Sequence, residues 1–154
     1  MKTAYYKCSL GTLRMVYEND TLFALNAGDF VPENSVPSPF TESVYRQICE
    51  FLCGKRKKFD VQYELHGTDF QKKVWHILET IPYGSTISYA EAAEMIGNPK
   101  AARAVGGACN KNPIWLIVPC HRVIGANGRL TGYACGIDMK EKLLSIEKEY
   151  ANEI

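Results

Sequence analysis

Long apolar runs are missing from this 154-residue sequence. The longest, 113–119, falls far short of the ~20 residues that cross a bilayer as a helix, so a helical membrane protein is excluded and no membrane partner is expected. The first eight residues contain lysine but no apolar run behind it. No secretory signal is read there, and the expected compartment is the cytoplasm, with the nucleoid included if the cell is prokaryotic. In a reducing compartment the six cysteines, at 8, 49, 53, 109, 120 and 135, are thiols and not a disulfide framework. None of their spacings is a zinc pattern. Cys49 and Cys53 lie one helical turn apart, with His66 as a third ligand, but two small hydrophobes packed by a helix is the better reading. No metal is expected there.

Acidic residues are missing from 95–137, where Lys100, Arg103, Lys111, Arg122 and Arg129 all fall. On a chain of formal net charge +1, this is either a local basic field that suits a polyanion or a set of scattered solvated side chains. What is present is ordinary globular material, 46% hydrophobic and 23% charged, which excludes collagen, coiled coil and wholesale disorder. A chain of this size builds a core without staples.

Short apolar and aromatic runs at 4–9, 13–17 and 22–26 are broken by Gly11 and by Glu18, Asn19 and Asp20. They read as a three-stranded meander. After a polar, proline-rich loop, Phe40, Val44, Ile48, Phe51 and Leu52 recur at helical spacing, with Gly54 at the C-terminal stop. Lys55 to Lys58 form a basic run suited to a solvated helix end. Residues 60–65 alternate strictly and read as a strand. The first part, 1–66, is thus expected to be a β-β-β-α-β unit.

The composition changes at Gly67. Thr68 and Asp69 offer an N-cap, and Phe70, Val74, Ile77 and Leu78 mark a helix that ends around Ile81 to Gly84. Ser88 with Glu91 forms a capping box for a second helix closed by Gly97. Asn98 and Pro99 offer an N-cap and N1 proline for a third helix starting at once. Two helices joined so tightly make a helix-turn-helix or a packing corner. The third helix is built from Ala101, Ala102, Ala104, Gly106, Gly107 and Ala108, and two glycines inside a helix cost roughly 1 kcal/mol each relative to alanine. Small residues make sense where another helix or a nucleic-acid backbone comes close. Arg103 is the one long charged side chain on its first turns.

Ile114 to Val118 read as a buried strand or extended segment that delivers Cys120, followed at once by His121 and Arg122. Imidazole and cationic neighbours favour the thiolate, the nucleophilic form of cysteine. Pro119 fixes the approach. Inert core remains the alternative for such a cysteine.

These segments resemble the O6-alkylguanine-DNA alkyltransferases. The resemblance is carried by Pro119-Cys120-His121-Arg122, by 81–89 (IPYGSTISY), by 97–106 (GNPKAARAVG), by Asn112-Pro113, and by Gly132-Tyr133 with Lys140, Leu143, Leu144 and Glu147. It spans about half the chain in detail. It implies an α+β protein: a small ribonuclease-H-like domain over 1–66, and a mostly helical, winged-helix-like catalytic and DNA-binding domain with a helix-turn-helix over 67–154. It implies direct repair of double-stranded DNA by a monomer bound through the minor groove. The alkyl group of O6-alkylguanine would pass to Cys120 in a single turnover with no cofactor, and O4-alkylthymine is a candidate second substrate.

By that resemblance, His121 acts as a base through a water and Glu147 orients it. Asn112 holds the active-site turn against the recognition helix. Arg103 fills the gap left by a flipped nucleotide, and Tyr89 meets the phosphate and the flipped base. Ala102, Lys100 and Arg122 join Arg103 and Tyr89 on the DNA. Tyr133, Val123, Ala134 and Pro119 line the substrate pocket. Ala134 stands where some members have serine, Cys135 leaves the pocket width open, and the first domain lacks the cysteine-histidine set that binds zinc in some members. Rival readings are a non-catalytic alkyl-lesion binder, which would replace the acceptor cysteine; a helix-turn-helix regulator, which would need base-reading side chains on the third helix; and a cysteine peptidase, whose histidine would lie far away in sequence.

Overall fold

The computed structural model describes residues 1–130 and 136–152 and divides into two compact units, Met1–His66 with Pro113–Trp115, and Gly67–Asn112 with the chain from Leu116 onward.

In the first unit, β1 (Lys2–Cys8), β2 (Gly11–Glu18) and β3 (Thr21–Gly28) form an antiparallel sheet in that order. Asn19 and Asp20 connect β2 to β3 with φ of 48° and 58°, the paired positive angles of a two-residue hairpin turn, which these two residue types tolerate. The register pairs Ala4 with Met15 and Met15 with Leu25. One face of the pleat therefore carries Ala4, Leu13, Met15, Leu22, Leu25 and Ala27, all buried. Helix α1 (Pro39–Leu52) starts at a capping box between Ser38 and Thr41 and buries Val44, Ile48 and Phe51.

The strand expected over 60–65 is reduced to one parallel bridge, Tyr63 to Leu22, with Leu22 N donating to Gln62 at 2.9 Å and Glu64 N to Leu22 at 3.0 Å. The reason is competition for the outer edge of β3. Three residues further along, Leu25 bridges Ile114, with hydrogen bonds of 2.8 Å from Leu25 N to Pro113 and 2.9 Å from Trp115 N to Leu25. Two segments share one edge, so neither becomes a full strand. The segment from Ile114 to Val118, expected as a buried strand or extended segment, bridges β3 at Ile114 and then turns, with Leu116 at φ 73°. Pro113–Trp115, read from the sequence as part of the second domain, sits in the first unit.

The second unit contains α2 (Asp69–Glu79), β4 (Ile87–Ser88), α3 (Tyr89–Met95), α4 (Ala102–Asn110), a 3-10 turn at Cys120–Arg122, β5 (Val123–Ile124) and α5 (Ile137–Tyr150). Thr68 with Gln71 and Ser88 with Glu91 form the capping boxes that start α2 and α3. Helix α4 begins at Ala102 without a side-chain cap, later than Asn98 and Pro99 suggested. Those residues form a turn instead, closed by Ala101 N donating to Asn98 at 3.0 Å, and the fixed φ of proline suits its second position. Gly97 takes φ 82° just after α3. Val74, Trp75 and Leu78 of α2 pack with Ala92, Ala93, Val105 and Ala108 in the core, and Trp75 Nε1 donates to the Ala108 carbonyl at 2.9 Å. Among the described residues no helix is long and apolar enough to cross a membrane.

Candidate active site

The site is built on two consecutive tight turns. Cys120 N donates to Val118 O at 2.9 Å, and Pro119 between them has φ −84° and ψ 67°, the geometry of an inverse γ-turn. Proline presets that φ and has no N–H to leave unpaired. Asn112, just beyond α4, donates from Nδ2 to the same Val118 carbonyl at 2.7 Å. The Asn112 side chain thus ties the end of α4 to the turn that aims Cys120. Residues 120–122 then make one 3-10 turn, and Val123 and Ile124 pair in parallel with Ile87 and Ser88. That pairing anchors Tyr89, the next residue after Ser88, beside the cysteine turn.

Cys120, His121, Arg122 and Glu147 are all buried. Glu147 Oε2 accepts from His121 Nε2 at 2.5 Å, while Oε1 accepts from Arg122 Nε and from the Gly84 amide, each at 2.9 Å. Arg122 Nε also reaches Oε2 at 3.1 Å, and its NH1 donates to the Ile81 carbonyl at 2.7 Å. Gly84 has φ 81°, and a Cβ there would lie 2.9 Å from the Ala151 Cβ, so only glycine brings that amide to the carboxylate. Burial opposes ionisation of Glu147, but the hydrogen bonds from His121 and Arg122 and the charge of Arg122 outweigh it and hold the carboxyl below the usual carboxylate range. Burial pushes His121 the other way, below its usual range; Glu147 counteracts this, and Arg122 and Lys140 reinforce it. The imidazole is therefore neutral beside a carboxylate. A carboxylate only accepts, so Nε2 carries the hydrogen and Nδ1 keeps its lone pair. Nδ1 is buried and has no hydrogen-bond partner among the described residues, which makes it the basic atom of the site.

Lys140 is 0% exposed. Its Nζ donates to the Tyr89 hydroxyl at 3.3 Å and lies 5.5 Å from the centre of that ring. Burial pushes its pKa down, and the thiols of Cys120 and Cys109 act to raise it. Cys109, on the inner face of α4, is pushed up to about 12, chiefly by burial and then by its neighbour Cys120. Of two adjacent thiols, Cys109 is thus inert near neutral pH.

The outer face of α4 is different. Arg103, Ala104 and Gly107 are exposed, Ala102 and Gly106 half-buried, and Val105, Ala108 and Cys109 face the core. Lys100 and Lys111 flank this face and are exposed. With α3 it forms the helix-turn-helix.

The model for the family described as 6-O-methylguanine DNA methyltransferase, DNA binding domain, matches residues 69–149. A methylated-DNA–protein-cysteine methyltransferase of Methanosarcina acetivorans is 46% identical, over 96% of this chain and 98% of its own length. The chain belongs to this methyltransferase family. A family relative of the same description from Mycobacterium bovis is 55% identical over 75% of this chain and 69% of its own. The crystal structure of Mycobacterium tuberculosis OGT in complex with DNA superposes with a TM-score of 0.89 at 43% identity, covering 97% of this chain and 94% of that one. The α+β architecture is that of the family.

Most of the residues that the family resemblance singled out fall in this unit and around one turn: Cys120, His121, Glu147, Asn112 and Tyr89, with Pro119 in the γ-turn and Val123 in β5. Tyr133 and Ala134, expected in the pocket, lie outside the described residues, as does Cys135. Arg122 requires correction. Expected on the DNA, it is buried and bonded to Glu147 and Ile81; a guanidinium held by a carboxylate inside the protein is not available to a phosphate. Sequence reasoning missed Gly84 as a ligand of Glu147, and the contact of Lys140 with Tyr89. The Ile81-Pro82-Tyr83-Gly84 segment carried the only signal for the first, a glycine placed where a turn needs a positive φ.

Proposed function

We propose that the chain repairs alkylated DNA by direct reversal, moving the alkyl group of O6-alkylguanine to Cys120 once per molecule. The observation that carries this is Cys120 on a locked turn, next to a neutral His121 whose Nε2–H is held by ionised Glu147. His121 Nδ1 takes the thiol proton through a bridging water, and Glu147 stabilises the imidazolium. The thiolate attacks the alkyl carbon, the carbon–O6 bond breaks, and its electron pair stays on the guanine. The Tyr89 hydroxyl supplies the proton that neutralises the leaving base, and Lys140 at 3.3 Å stabilises the phenolate left behind. The thioether is stable and the thiol is consumed as a reagent, so no cofactor is needed.

The target atom lies inside the base stack, so the nucleotide is flipped out, at a cost of roughly a few kcal/mol. The exposed face of α4 supports minor-groove binding, with Arg103 filling the vacated site and Lys100 and Lys111 on phosphates. With DNA as substrate, the protein acts where the genome is.

The experiment is intact-mass analysis and peptide mapping after incubation with duplex DNA containing O6-methylguanine. The expected result is one methyl per molecule, on Cys120 and not on Cys109. A methyl on Cys109 or repeated turnover would overturn the assignment.

Gly107 offers a second test. Its φ is ordinary and a Cβ added there meets open space, so nothing in the described fold requires glycine. Gly107→Ala is expected to stabilise the protein by about 0.5–1 kcal/mol, the helix-interior penalty of glycine. The same methyl projects from the DNA-facing side of α4 and weakens duplex binding. Thermal unfolding and fluorescence anisotropy measure the two effects. Unchanged affinity would show that this face stays clear of the DNA backbone.

A further inference from the structure

We propose that Arg122 is a positioning residue for the transfer reaction: by clamping Glu147 it sets which nitrogen of His121 is the base. This rests on the function proposed above and assigns a task to the residue that the family resemblance had placed on the DNA.

Arg122 Nε bridges both oxygens of Glu147, at 2.9 and 3.1 Å, and NH1 is fixed to the Ile81 carbonyl at 2.7 Å. Its guanidinium carbon lies 5.7 Å from the centre of the Tyr83 ring, so the plane is held on several sides. Gly84 N–H takes the remaining approach to Oε1 at 2.9 Å. A carboxylate surrounded by obligatory donors on one oxygen has a single course for the other, to accept from His121 Nε2. That leaves Nδ1 unprotonated. A guanidinium does this where an ammonium does so less well, because one rigid group offers Nε to the carboxylate and NH1 to a carbonyl in fixed directions.

The charged and titratable groups around the pair are Glu147 and Lys140 from α5, Cys120 and Arg122 from the turn, and Cys109 beside Cys120. Tyr83 comes from the 81–84 segment. The buried face of α2, Val74, Trp75 and Leu78, brings none. Without the Arg122 cation, Glu147 holds its proton to higher pH. A protonated carboxyl donates to Nε2, the hydrogen of the imidazole moves to Nδ1, and the base is lost. Removing the cation also makes the imidazolium easier to form. Both effects move the acid limb of the rate profile upward.

The test compares Arg122→Gln and Arg122→Lys with the natural protein, by the rate of Cys120 alkylation with free O6-benzylguanine across pH and by 15N resonances of the His121 ring. Arg122→Gln is expected to lower the rate at neutral pH by roughly tenfold, the loss when an acid limb moves about one unit above the assay pH, with recovery toward higher pH. The Nδ1 resonance should shift toward the protonated form. Arg122→Lys, which keeps the charge and with it the fold, moves the limb the same way by a smaller amount. An unmoved acid limb and unmoved ring resonances in either folded variant overturn the proposal and leave Arg122 a structural residue. If the natural protein does not alkylate itself at all, the function fails instead, and the ring resonances still decide the part played by Arg122.

Discussion

Glu147→Gln is expected to slow alkyl transfer to Cys120 by roughly 10²–10³-fold, within the range that a positioned proton acceptor contributes, while changing affinity for duplex DNA little. The carboxylate is buried and points at His121, Arg122 and Gly84, none of which lies on the exposed face of α4. A glutamine amide cannot accept from all of these donors, and one of its own N–H groups must face Arg122 or His121. The imidazolium formed when Cys120 loses its proton is then no longer stabilised, so less thiolate attacks. Loss of the partner of a buried arginine also lowers stability, by about 3–5 kcal/mol, so rates are measured well below the transition. Single-turnover kinetics and anisotropy on the same methylated duplex separate the two effects. Equal losses in rate and in affinity would show that Glu147 supports only the fold.

Arg103→Ala is expected to leave the reaction of Cys120 with free O6-benzylguanine nearly intact and to cut repair within duplex DNA by two orders of magnitude or so. A free base needs no extrusion. In a duplex the extruded state costs roughly a few kcal/mol that a long side chain entering the stack offsets, and each ~1.4 kcal/mol is tenfold in rate. Arg103 is exposed on α4 beside Ala104 and Gly107, whose small size allows the helix to approach a groove. Lys100 and Lys111, exposed at the margins of the same face, should behave differently when replaced. They weaken binding to all sequences and flatten its salt dependence. The decisive comparison is the ratio of free-base to duplex rates at fixed salt. If both fall by the same factor, Arg103 serves the fold or the thiolate and does not fill a vacated base site.

Features that depend on only a few neighbouring residues were legible along the chain. Capping boxes at Thr68 and Ser88 act over three positions, and both helices start where those residues stand. Gly54 and Gly97 stop helices by taking positive φ. Cysteine followed by histidine places two reactive groups on one turn wherever that turn sits. Tertiary structure decided what depends on partners far along the chain. Helix α5 turns Lys140, Leu143 and Glu147 inward; two of these three are charged, so its buried face carries no hydrophobic periodicity to read. Arg122 looked like one more cation of a basic stretch until the fold set it against Glu147, 25 residues away, and Gly84 found the same carboxylate across 63 residues. The shortened strand at 60–65 and the turn after Ile114 are of the same kind, since both segments pair with the same edge of β3, at Leu22 and at Leu25. A local pattern states which bonds a segment is able to make. Only the folded chain settles which of the competing partners arrives first at a buried donor or acceptor, because burial makes every unsatisfied group costly and the arrangement must satisfy them together.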